Sequence, residues 1–136
     1  MIRKDWVISA GHCCEEIIKN IKSGTDTIKD YSILAGSPKI SPNSDNAKEI
    51  KMKNIYIHPK YRQMTTANDI EYLVNDICMI QLQSEIPSSK NIGLVEMSPN
   101  YAANASSECY ISGWGKDKVL LAKINAYHSI FISIKF

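Results

Sequence analysis

The 136-residue chain is long enough for one domain of ordinary size, and 44% hydrophobic with 22% charged residues and no low-complexity run sets it among globular proteins. Sixteen Lys and Arg against 14 Asp and Glu leave a formal charge of +2 with no basic stripe, which excludes nucleic acid as the expected partner. No stretch nears the ~20 apolar residues a transmembrane helix needs, and Trp6 to Gly11 is too short for the apolar core of a signal peptide, so neither a membrane span nor an export signal is read.

In chain order, Trp6 to Ala10 is a β-branched and aromatic run closed by Gly11, the pattern of a buried strand entering a turn. Cys14 to Ile21 carries Ile17, Ile18 and Ile21 at a spacing that suits one or two helical turns. Tyr31 to Ala35 reads as a strand stopped by Gly36, Pro38 and Pro42, and a loop rich in Ser, Asn and Asp follows. From Glu49 to His58 the apolar positions alternate at Ile50 and Met52, slip one step, and resume at Ile55 and Ile57, which predicts a strand with an irregularity. Lys60 to Val74 is read as an exposed loop. Asp76 to Leu82, with Ile77, Cys78, Met79, Ile80 and Leu82, is dense enough in apolar residues for a core strand. Pro87 breaks it, and Cys109 to Ser112 is a last strand before Gly113-Trp114-Gly115. Short strands between turn signals, with little helix, predict an all-β sandwich or barrel.

Cys13, Cys14, Cys78 and Cys109 are spaced too irregularly for a zinc tetrahedron, so disulfides or buried thiols are expected, with no pairing assigned among the possible ones. No metal or cofactor is called for. The residues that carry chemistry are His12, in a turn after a buried strand, and Asp76, at the head of another. A carboxylate beside an imidazole fixes its tautomer and stabilises the imidazolium, an arrangement general-base catalysis uses. On spacing alone a histidine next to a cysteine is more often a packed or surface residue than a catalytic one.

The local sequence goes further. WVISAGHC (Trp6 to Cys13) resembles the WVLTAAHC run around the catalytic histidine of trypsin-like serine proteases. NDICMIQL (Asn75 to Leu82) resembles that family's NDIALIKL run around its catalytic aspartate, CYISGWG (Cys109 to Gly115) its C-x-x-S-G-W-G segment, and IYIHPKY (Ile55 to Tyr61) its I-x-x-H-P-x-Y strand end. The motifs stand in the family's order over Asp5 to Gly115. The resemblance implies one partial peptidase domain over residues 1–115, with 116–136 a tail without family likeness. It also implies an incomplete form of the trypsin-like antiparallel double β-barrel, holding the N-terminal barrel and the start of the second. It assigns His12 as general base and Asp76 as its orienting partner. Asp69, in a second Asn-Asp-Ile triplet, is the decoy, because a polar Glu71 follows it where Asp76 leads into an apolar strand. His58 falls in the family's non-catalytic His-Pro pair, and His128 matches nothing.

The resemblance also marks departures. The nucleophile's GDSGGP segment does not occur in these residues, Ser9 and Ser112 stand in other motifs, and only five residues precede the first motif. The partner the family gives Cys13 lies upstream and that of Cys109 in the second barrel. Cys78, where the family has a small apolar residue, is read as a buried thiol, and Cys14 has no assigned role. The loop from Arg62 to Val74 is longer than usual, and in the family it borders the substrate cleft. The expectation is therefore a serine-type endopeptidase family member that lacks its nucleophile and is inactive as written. The alternative is a non-catalytic homologue that binds or decoys, and a further reading is a half-built barrel that cannot fold alone. Expected partners are a peptide or protein substrate or a protease inhibitor, and the expected location is extracellular, consistent with the sequon at Asn104.

Overall fold

The structure, a computed structural model, describes residues 1–37, 47–97 and 134–135. Among these residues seven strands, β1 (Trp6–Ser9), β2 (Ser32–Ala35), β3 (Lys48–Ile57), β4 (Arg62–Thr65), β5 (Glu71–Val74), β6 (Cys78–Leu82) and β7 (Ile134–Lys135), accompany one helix, α1 (Gly11–Ser23), and a 3-10 turn at Ile28–Asp30. The strands form a five-stranded sheet in the order β1-β6-β3-β2-β7 and a separate β4-β5 ribbon, every pairing antiparallel. This curled antiparallel half-barrel sheet with little helix is the all-β architecture the sequence predicts.

The curl originates in β3. Its first residues, Lys48 to Lys51, pair with β2, and Met52 to Ile57 pair with β6, the register shifting between Met52 and Asn54. Burial follows the shift: Ile50 and Met52 face the core, then the inward parity passes to Ile55 and Ile57. An irregularity of this kind adds bend and twist and lets one strand turn a corner between two partners. The sequence's slipped alternation is this corner.

The core lies between the sheet's inner face and α1. Val7, Cys14, Ile17, Met52, Ile80 and Ile86 are each fully buried. Strand β6 alternates cleanly, with Cys78, Ile80 and Leu82 inward. Helix α1 presents Cys14 and Ile17 to that face with Ile21 packed against it, the i, i+3, i+7 stripe of a half-buried helix.

Three elements differ from the sequence reading. Helix α1 is longer than one or two turns: it begins at Gly11 and ends where Gly24 takes a left-handed φ of 77° and donates its N–H to the Asn20 and Ile21 carbonyls. Lys60 to Val74 is not a plain loop, since Arg62–Thr65 and Glu71–Val74 pair as a hairpin. Its turn is closed by Asp69 at φ 56° and by the Ile70 N–H donated to Thr66 Oγ1 at 3.0 Å. Cys78 is buried as expected but is not a thiol: it is disulfide-bonded to Cys14. Of the tail, Ile134–Lys135 pairs with β2. Cys109 to Gly115, Asn104 and His128 lie outside the described residues.

Candidate active site

The chain runs from β1 directly into α1, and the first turn of that helix carries His12. Ala10, at the N-cap, has no side-chain oxygen to accept the helix's free amides. Asp76 supplies one from 64 residues away. Its Oδ1 accepts the His12 backbone N–H at 2.7 Å, while its Oδ2 accepts from His12 Nδ1 at 2.8 Å. The carboxylate thus caps the positive end of α1 and holds the imidazole of the same residue. Because a carboxylate only accepts, the proton on that ring sits at Nδ1 and the lone pair at Nε2. The pair is half open to solvent, with the His12 side chain 46% and the Asp76 side chain 25% exposed.

Asp76 sits in the short link between β5 and β6. Asn75 before it takes a left-handed φ of 53° and ties its amide to the Lys60 carbonyl at 2.9 Å. Ile77 after it accepts from the His58 N–H at 3.0 Å. His58 plays this backbone part at the end of β3, its Nδ1 accepting from the Lys60 N–H at 3.2 Å. Asp69, the decoy, is at the tip of the hairpin.

Two neighbours crowd the pair. Cys13 carries a free thiol whose Sγ lies 3.3 Å from His12 Nε2. Burial, then the charges of Asp76 and Glu16, push that thiol's pKa up, so it stays protonated and is a poor nucleophile at neutral pH. Tyr61 is the other. A Cβ on Gly11 would stand 2.9 Å from the Tyr61 ring, 3.1 Å from the Ile77 amide nitrogen and 3.2 Å from Asp76 Oδ1. Its hydroxyl reaches Glu15 Oε2 at 3.4 Å, and burial, then the Glu15 charge, raise its pKa. No group of three or more potential metal ligands occurs among the described residues.

The structure brings His12 and Asp76 together across the start of α1 and the β5–β6 link, and the comparison with known families matches residues 1–128 to the trypsin family. The chain belongs to the trypsin family. It is 28% identical over 120 residues to human chymotrypsin-like elastase family member 1, covering 87% of this chain and 40% of that one. Pig trypsin is 31% identical over 118 residues, with 87% of this chain and 42% of the relative covered. Human trypsin-3 is 32% identical over 115 residues, with 85% and 31% covered. The chain spans about 40% of the length of the first relatives it matches.

Sequence reasoning named His12 and Asp76 but missed what surrounds them. The Cys14–Cys78 link leaves one mark in the sequence: each cysteine stands two residues after a member of the pair. The Gly11 and Tyr61 contact had only one faint sign, a glycine where the family motif has alanine.

Proposed function

We propose that this chain carries the base-bearing part of a trypsin-like serine endopeptidase, with His12 as general base and Asp76 as the residue that orients it. The observation that carries the reading is the two-oxygen grip of Asp76 on His12, one oxygen on the backbone amide and one on Nδ1. It leaves Nε2 as the free basic nitrogen. A serine hydroxyl brought to Nε2 would give up its proton there as its oxygen attacks a peptide carbonyl, and the imidazolium formed would lie against the Asp76 carboxylate. That proton would then pass to the leaving amine. The Cys13 thiol now at Nε2 would have to turn aside. No GDSGGP segment occurs in these 136 residues, so the nucleophile and oxyanion donors have to come from residues outside this sequence, and the 136 residues alone are expected to be inactive. Substrates would be peptides or proteins. A disulfide in the core supports an oxidising, extracellular setting, and among the described residues no helix is long and apolar enough to cross a membrane.

The test is to sequence the transcript through and beyond the Gly115 codon and express its longest in-frame product. A product with GDSGGP is expected to be labelled by a fluorophosphonate and to hydrolyse peptides, with His12→Ala lowering the rate roughly 10²–10⁴-fold. A stop after Phe136, with no labelling, would instead make the chain a non-catalytic homologue that binds peptides or inhibitors.

A further inference from the structure

The His12–Asp76 contact is made just beyond the end of the β1–β6 ladder, where Ser9 pairs with Cys78 and Gly11 comes close to Asp76 and Ile77. His12 rides on the first turn of α1, an end without a cap of its own, and Asp76 on a link between two strands rather than within either. Two residues further along each segment the chains are covalently joined, Cys14 to Cys78, with Cα atoms 6.5 Å apart and both residues almost wholly buried. On the helix, Cys14 follows His12 by half a turn and faces the core while His12 faces solvent. On the strand side, Cys78 opens β6 and faces the same core.

We propose that the Cys14–Cys78 disulfide is a positioning device for the His12–Asp76 pair. It fixes the first turn of α1 against the start of β6, so that the amide and ring of His12 meet the two Asp76 oxygens together. Packing is a weaker guarantee here, because the pair lies on the solvent side of that contact. Cys13, one residue nearer His12, keeps a free thiol and takes no part in the link. The catalytic consequence rests on the role proposed above for His12 and Asp76, but the positioning itself is read without any activity.

The experiment starts with peptide mapping of the unreduced chain, which is expected to find Cys14 joined to Cys78; a map joining Cys13 to either overturns the proposal. The variant Cys14→Ala/Cys78→Ala is then compared with wild type by NMR, following the His12 Nδ1-bound proton and the His12 amide, with Val7 and Ile80 amides as reporters of the fold. The expected result is loss of the Nδ1 proton signal to exchange with water and a displaced His12 amide, while Val7 and Ile80 keep their native shifts. A folded variant that retains the Nδ1 signal overturns the proposal and shows that the disulfide stabilises without positioning. If the double variant does not fold, oxidised and dithiothreitol-reduced wild type are compared in trimethylamine N-oxide, which favours the compact state. There the Nδ1 signal persisting after reduction overturns the proposal, and its loss with Ile80 unmoved supports it. Failure of the His12→Ala activity test would strike the catalytic role and leave these spectra unaffected.

Discussion

The five-stranded sheet and the β4-β5 hairpin are built from the same kind of strand pairing and differ in what covers them. In the sheet, β6 turns every second side chain into the buried core, and Ile80 is fully excluded from water. In the hairpin, every residue of β4 is exposed, and β5 has only Val74 partly covered. Met64, Ile70, Tyr72 and Leu73 all face solvent there, with Ile70 62% exposed. Burial on one face is what pins a strand's register. The hairpin has its turn bonds instead, and a lone two-stranded ribbon is only marginally stable. His12 and Asp76 meet where these two regions join.

The largest effect is expected at that junction, on the sheet side. Removing the Cys14–Cys78 link, which closes a loop with a sequence separation of 64, frees the unfolded chain. In the chain-entropy picture that costs about 4 kcal/mol, read as a lower urea midpoint for Cys14→Ala/Cys78→Ala. Next is Ile80→Ala in the middle of β6, where a cavity opens under a fully buried side chain. About 3 kcal/mol is expected by the same measurement. If Ile80→Ala costs less than 1 kcal/mol, the sheet is no better packed than the hairpin and the contrast between them collapses.

Gly11→Ala is the intermediate case. The new methyl would press on the Tyr61 ring, the Ile77 nitrogen and Asp76 Oδ1. Overpacking costs roughly 1–3 kcal/mol, and the better helix propensity of alanine returns up to about 1 kcal/mol. A net loss of about 1 kcal/mol is expected, and it should shrink in a Tyr61→Ala background, as a double-mutant cycle would show. An unchanged loss there would mean that Asp76 and the Ile77 backbone, rather than Tyr61, resist the methyl.

The same contrast governs how much could be read without a structure. Strands β1, β2 and β6 were legible as short apolar runs bounded by turn residues, and β3 by its alternation, whose slip between Met52 and Ile55 survived as a register shift. His12 and Asp76 were legible through their flanking motifs, since nothing in their spacing of 64 residues says that they touch. The hairpin was not, because strands exposed on both faces lack the alternation that marks a strand. The start of α1 was hidden for another reason: Gly11 to Cys13 carry no apolar stripe, and the group that caps them comes from Asp76. The disulfide was hidden because cysteine spacing alone does not decide pairing, and its one mark, Cys14 and Cys78 each two residues after a member of the pair, means something only once that pair touches.

The smallest effect is expected at the hairpin tip. Ile70→Ser exchanges an exposed apolar side chain for a polar one and leaves the bond from its own N–H to Thr66 Oγ1 in place. Exposed positions of this kind shift stability by no more than about 0.5 kcal/mol, so the urea midpoint should stay where it is. Amide exchange sharpens the point, because hairpin amides should open locally and exchange well ahead of those of β6. A loss above about 1 kcal/mol for Ile70→Ser would mean that the tip is covered in the folded chain. Protection at Leu73 and Tyr72 equal to that at Ile80 would carry the same meaning, and the ribbon would then belong to the cooperative unit that holds His12 and Asp76 together.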